Sequence, residues 1–144
     1  MRVKEWMSAS LTVTGPKTSV SEARELMRRK VIRHLLVTEG ERLLGIVTDR
    51  DIRLNLPSPA TSLSVWEINY LLTKLTVGDV MTKAVITVEP ERPIEEAARL
   101  ILEHRIGALP VVSDGRLEGI LTETDLLRAF VHSQSAVVPV TGRG

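Results

Sequence analysis

Thr48 and Asp51 stand three apart in GIVTDRDI, Gly45 to Ile52, and Thr122 and Asp125 repeat that spacing in GILTETDL, Gly119 to Leu126. A hydroxyl followed three residues later by a carboxylate has a local use where a strand meets a helix. The threonine oxygen accepts from the free N–H groups of the first turn, and the aspartate reaches back to the threonine N–H. Here the pattern occurs twice, at equivalent places. Gly45 and Gly119 lie inside strand-like runs, where glycine weakens packing but admits the close approach of another backbone or a ligand. Other chemistry is thin. His34, His104 and His132 lack metal-ligand spacing, so packed or exposed rings are expected and no metal is required. The absence of cysteine excludes disulfides, thiolate metal sites and cysteine nucleophiles. No P-loop pattern, Ser/His/Asp set or metal-binding carboxylate cluster stands out, so the chain reads as non-catalytic.

Composition narrows the function classes. The 144 residues suit one compact domain or two small ones, and 43% apolar with 26% charged residues is ordinary for a globular protein. A net charge of +1 and 3% aromatics argue against nucleic acid. No apolar run approaches the roughly 18 residues of a membrane span, and MRVKEWMSAS lacks the apolar core of a signal peptide. A cytoplasmic protein is expected.

The elements that must position the Thr-x-x-Asp pairs come from an internal repeat. Shifted by 74 positions, the chain aligns on itself without a gap, and 14 of the 47 positions from Met7 to Arg53 are identical. Met7/Met81, Pro16/Pro90, Ile32/Ile106, Gly45/Gly119, Thr48/Thr122 and Asp51/Asp125 are among the pairs. Each copy reads β-α-β-β-α. SLTVT (Ser10 to Thr14) and VITVE (Val85 to Glu89) are β-rich runs ended by proline. Val20, Ala23, Leu26 and Met27, and then Ile94, Ala97, Leu100 and Ile101, mark a helix in each copy. Strands follow at His34 to Thr38 and Leu43 to Val47, and at Leu109 to Val112 and Leu117 to Leu121. Gly40-Glu41 suits a glycine-first hairpin turn and Asp114-Gly115 the Asp-Gly type. A short second helix is expected from Thr48 and from Thr122. Three strands and two helices cannot cover both faces of so small a sheet, whereas two packed copies can.

The expected class is α/β, two β-α-β-β-α repeats packed with pseudo-two-fold symmetry: repeat 1 at 1–56, a linker at 57–75, repeat 2 at 76–132 and a tail at 133–144. PSPATS breaks the chain inside the linker. A helix follows it, with Ser64 and Glu67 as a capping box and Val65, Ile68, Leu71, Leu72 and Leu75 as its apolar stripe, packing along the pair. Trp66 and Tyr70, four apart on that helix, are read as packing or dimer contacts.

HLLV…GERLLGIVTDRDI and ALPVV…DGRLEGILTETDL, each preceded by a β-α unit, resemble a tandem pair of CBS domains, the Bateman module, over about residues 1–132. The resemblance implies a sensor that binds an adenosine nucleotide (AMP first, with ADP, ATP or S-adenosylmethionine as alternatives) in clefts between the repeats. It implies that Asp51 and Asp125 take the ribose hydroxyls, helped by Thr48 and Thr122, and that Arg50 and Thr124 face phosphate beside a helix N-terminus. It implies an adenine edge at Ile32, Arg33 and His34 and at Ile106, Gly107 and Ala108, with Val13 and Thr87 nearby. GALPVV, with Pro110, follows the family pattern, whereas Leu36 replaces that proline in the first copy. Because Arg50 is a cation and Thr124 is neutral, the Asp51 cleft is expected to hold phosphate more tightly. The partners expected are the nucleotide, a second copy forming a homodimer, and a regulated protein in trans. A ligand-free interaction scaffold, with the Thr-x-x-Asp pairs serving only as helix caps, is the reading from another class.

Overall fold

The computed structural model describes residues 1–56 and 63–135, so the PSPATS segment and the tail beyond Ser135 lie outside the described residues. In chain order the elements are α1 (Val3–Trp6), β1 (Val13–Thr14), α2 (Val20–Lys30), β2 (His34–Glu39), β3 (Arg42–Thr48), α3 (Asp49–Leu54), α4 (Val65–Lys74), α5 (Val77–Val80), α6 (Ile94–His104), β4 (Ala108–Ser113), β5 (Arg116–Thr122) and α7 (Glu123–Ser135). The class is α/β, as the sequence predicts.

The chain divides into two compact units. One is Leu11–Val85, the Asp51 unit. The other joins Met1–Ser10 to the chain from Ile86 on, the Asp125 unit. These units do not follow the repeat: the opening residues of the first copy belong with the second, and the opening residues of the second belong with the first.

In the Asp51 unit, β2 and β3 form an antiparallel hairpin, and β1 adds in parallel through Val13↔Leu36 and Thr14↔Val37. Gly40 takes a φ of +62° at the turn, the left-handed value that a glycine-first hairpin requires. Helix α2 starts where the Ser19 side chain accepts from the Glu22 N–H at 3.1 Å and buries Val20, Ala23 and Met27. It stops at Val31, whose φ of +55° is left-handed, and the Ile32 N–H closes the end onto the Met27 carbonyl at 3.0 Å. Arg105, the repeat mate of Val31, does the same at +53°. No glycine marks either stop. The core gathers Val20, Ala23, Met27, Leu35, Val37, Val47, Ile52, Leu72, Val77 and Val80.

Helix α4 has the expected capping box, Ser64 with Glu67, and packs on α2. Only part of its predicted stripe is inside. Leu72 is buried and Ile68 and Leu75 are half-buried, while Val65 and Leu71 join Trp66 and Tyr70 in solvent. A ten-residue helix that packs chiefly on α2 buries a narrow strip.

In the Asp125 unit, β4 and β5 pair in the same register, with a bulge at the same place, between Val111 and Val112 as between Val37 and Thr38. Asp114 and Gly115 both have positive φ, +51° and +78°, as an Asp-Gly turn demands. The predicted strand over Val85–Glu89 shrinks to one bridge, Val88↔Val111. The pair that is missing, relative to β1, is Thr87 with Pro110, and Pro110 has no N–H to donate. A single residue change, Leu36 to Pro110 across the repeat, thus accounts for the difference. Helix α7 runs 13 residues, longer than the short helix expected and more than twice α3.

The exchanged segments dock alike. In α5, the Val77 N–H donates to the Thr18 carbonyl (2.7 Å) and the Gly78 N–H to that of Pro16 (2.8 Å). In α1, the Val3 N–H donates to the Arg92 carbonyl (3.0 Å) and the Lys4 N–H to that of Pro90 (2.9 Å). Thr82 then exchanges two backbone bonds with Ile46, and Ser8 two with Ile120. A Cβ added to Gly45 would lie 2.7 Å from the Thr82 carbonyl oxygen and 2.8 Å from Met81 Sδ; one on Gly119 would lie 2.8 Å from the Ser8 carbonyl oxygen and 2.7 Å from Met7 Sδ. The close approach that the two strand glycines allow is therefore made by the exchanged segments, through a backbone carbonyl and a methionine sulfur at each.

Candidate functional site: the two Thr-x-x-Asp ends

At the Asp51 end, β3 finishes at Thr48, opposite His34 at the start of β2. The Asp49 N–H donates to the Arg33 carbonyl at 2.9 Å, which carries the ladder one step into α3. The Thr48 N–H donates to Asp51 Oδ2 (2.9 Å), Thr48 Oγ1 donates to the same oxygen (3.0 Å), and the Asp51 N–H donates to Thr48 Oγ1 (3.1 Å). One carboxylate oxygen is thus committed to the cap. Among the described residues the other, Oδ1, has only a long contact of 3.5 Å with Thr82 Oγ1.

The Asp125 end repeats this. Thr122 lies opposite Ala108, and the Glu123 N–H donates to the Gly107 carbonyl at 3.4 Å. The Thr122 N–H and Oγ1 donate to Asp125 Oδ2 at 2.9 and 3.0 Å. Asp125 Oδ1 meets Arg128 Nη1 at 3.5 Å. Asp125 is buried, at 7% exposure, whereas Asp51 is half-buried. Neither Thr82 nor Arg128 stood out in the sequence. Thr82 was findable as the hydroxyl-bearing repeat mate of Ser8, and Arg128 as a cation one helical turn beyond Asp125.

The predicted site residues fall into two groups. Val13, Ile32, Arg33, His34, Thr48, Arg50 and Asp51 lie in the Asp51 unit; Thr87, Ile106, Gly107, Ala108, Pro110, Thr122, Thr124 and Asp125 lie in the other. Val13 is 43% exposed on β1. Arg33 and Arg50 are exposed and make no ion pair among the described residues, while Asp49 beside them is tied to Arg53 at 3.1 Å. Thr87, Gly107 and Thr124 are exposed, and a Cβ on Gly107 would meet nothing within 4 Å, so that edge is open. Ile32 and Ile106 turn partly into their cores. Pro110 is fully buried, and its carbonyl is taken by the Val88 N–H at 3.0 Å, so it can shape a wall but offers no surface. Among the described residues, no group of acidic or histidine side chains is arranged to hold a metal ion, and no helix is long and apolar enough to cross a membrane.

His34 is half-buried, and burial holds its pKa below the ordinary histidine value. The unfolded chain then binds more protons than the folded one once the pH drops below about 6.5. The stability associated with the neutral ring is complete above that pH and is lost as the pH falls through the lower folded value. Urea melts from about pH 7.5 to about pH 5 should show this decline, and His34→Gln should flatten it. An unchanged slope in His34→Gln would assign the decline to other groups.

The geometry is that of a twice-built strand-to-helix junction with one carboxylate oxygen engaged and one turned away from the cap. Comparison with known proteins identifies the architecture. The CBS domain family matches twice, at residues 3–58 and 77–132. The CBS domain-containing protein CBSX2 of Arabidopsis thaliana is 37% identical over 143 residues, which cover 85% of this chain and 60% of that protein. The crystal structure of CBSX2 in complex with AMP superimposes with a TM-score of 0.76 at 35% identity, covering 92% of this chain and 98% of that one. The CBS domain pair of protein MJ0100, in complex with methylthioadenosine and S-adenosyl-L-methionine, gives 0.73 at 27% identity, covering 92% and 98%. Inosine-5'-monophosphate dehydrogenase of Korarchaeum cryptofilum is 37% identical over 132 residues, 91% of this chain but 25% of the enzyme, so the likeness leaves most of that enzyme unmatched. With both copies of the repeat matched and the fold shared, the chain belongs to the CBS domain family, as a tandem pair.

Proposed function

We propose that this CBS pair is a non-catalytic regulatory module of the cytoplasm that binds an adenosine nucleotide at its Thr-x-x-Asp ends, AMP first, with ADP, ATP or S-adenosylmethionine as alternatives. The observation that carries the reading is the division of labour within each carboxylate. Oδ2 of Asp51 and of Asp125 completes the helix cap, while Oδ1 has no partner nearer than 3.5 Å among the described residues. A carboxylate oxygen so placed can accept from a ribose hydroxyl without giving up the cap. Adenosine ligands in the related CBSX2 and MJ0100 structures support the ligand class. Arg50, exposed and without an ion pair among the described residues, is the cation for phosphate, and Thr124 is neutral at the matching place. The Asp51 end is therefore the tighter phosphate site.

The test is calorimetry with AMP, ADP, ATP and S-adenosylmethionine, with GMP and CMP as controls. Asp51→Ala should abolish the tight site and Asp125→Ala should spare it. Arg50→Ala should weaken AMP about tenfold or more, the worth of a charge-assisted hydrogen bond, and adenosine far less. No heat with any adenosine ligand at millimolar concentration would leave the scaffold reading, in which the Thr-x-x-Asp pairs serve only as helix caps. Leu102, Leu127, Phe130 and Val131 expose an apolar face on α6 and α7. That face supports a homodimer and, through it, a regulated protein as partner in trans.

A further inference from the structure

An open groove of about 570 Å³ lies on the Asp51 unit, where α2, the residues that close it, the start of α3 and α4 meet. Its size falls within the range of small-ligand sites. Met27, Ile32 and Leu72 supply apolar lining, and Met27 and Leu72 are buried members of the core. Two carboxylates line the groove, and both are already paired. Glu25 is held by Arg28 at 2.5 Å, and Asp49 by Arg53 at 3.1 Å. Two further lining cations, Arg24 and Arg33, make no ion pair among the described residues. The groove therefore joins an apolar floor to two uncompensated guanidinium groups.

We propose that this groove binds a small organic anion with an apolar body, its carboxylate, sulfonate or phosphate held by Arg24 and Arg33 and its hydrocarbon laid on Met27 and Leu72. Guanidinium groups suit the task because their planar fork of donors matches an oxyanion and is weakly hydrated. The groove shares Ile32 and Arg33 with the predicted adenine edge but does not include the Asp51 side chain, and Arg24 and Asn69, which line it, have no part in the nucleotide reading.

Fluorescence titration of the whole chain tests this, with anilinonaphthalene sulfonate as the anionic probe and N-phenylnaphthylamine as its uncharged counterpart with the same aromatic body. The sulfonate should bind about tenfold more tightly than the amine. Arg24→Gln and Asn69→Glu should each raise its dissociation constant by about that factor without moving the melting temperature. Arg29→Gln, on the same helix but outside the groove, should leave it unchanged. Equal binding of the two probes, or a dissociation constant unmoved in both groove variants, overturns the proposal. Asp51→Ala should spare sulfonate binding, so this site and the nucleotide site fail separately; loss of the sulfonate in Asp51→Ala would overturn the groove as a site of its own.

Discussion

Removing residues 1–10 is expected to melt the second half of the chain and spare the first. The repeat alignment alone would place the damage in the first copy, to which those residues belong. The structure places it in the Asp125 unit. Val3 is fully buried there with Val88, Ile94, Ala97, Ile101, Leu109, Val111 and Leu121, and burying such a side chain is worth about 2 kcal/mol. The deletion also breaks the backbone bonds from Val3 to Arg92 and from Lys4 to Pro90, the bond from Ile94 to Met1, and the paired bonds between Ser8 and Ile120. At about 1 kcal/mol net for each, the sum with Val3 is about 7 kcal/mol. That is comparable to the whole stability of a small domain. Hydrogen exchange should show Leu109, Val111 and Leu121 losing protection, while Leu35, Val37 and Val47 keep theirs. Preferential loss at Leu35 and Val37, or an unchanged melting temperature, would refute the exchange of opening segments.

Gly45→Ala and Gly119→Ala should each destabilise the protein by about 1–3 kcal/mol, the usual cost of overpacking a filled site. Alanine normally stabilises a strand relative to glycine, so the sign itself is diagnostic. The obstacle is backbone. The Thr82 carbonyl lies 2.7 Å from the new methyl at Gly45, and the Ser8 carbonyl 2.8 Å from that at Gly119. Each carbonyl is fixed by accepting a hydrogen bond, from the Ile46 and Ile120 N–H groups respectively. A side chain can move aside, but a carbonyl in a ladder takes its strand with it. Met7→Ala should therefore rescue Gly119→Ala only in part, by removing Sδ and leaving the oxygen. The two glycines share no contact partner, so their costs should add. Thermal melts of the two single variants and the double variant measure all of this. A neutral or stabilising Gly119→Ala would mean that the Ser8 segment is not seated on β5.

Much of the fold is written locally. Hairpin turns at Gly40 and at Asp114-Gly115 need φ values that only certain residues tolerate, and those residues are present. The apolar spacing of Val20, Ala23 and Met27, and of Ile94, Ala97 and Ile101, appears as buried stripes because helical periodicity puts them on one face. Both Thr-x-x-Asp caps close within four residues, so their geometry needs nothing beyond the local chain. The left-handed stops at Val31 and Arg105 were not legible, since the sequence carries no glycine there. Burial of Ile32 and Ile106 against their cores holds those residues in place.

Tertiary structure alone decided the rest. A self-aligning sequence shows that Met7 matches Met81 and Gly45 matches Gly119, but not which methionine covers which glycine. Either pairing satisfies the local pattern equally, because both copies present the same residues. The long-range ladder bonds of Thr82 with Ile46 and of Ser8 with Ile120 settle it. The same holds at the candidate site. The sequence supplied the carboxylates and the cap that takes Oδ2, while the surroundings of each Oδ1, a hydroxyl from a distant segment at Asp51 and an arginine one turn along α7 at Asp125, depend on where the folded chain brings those groups.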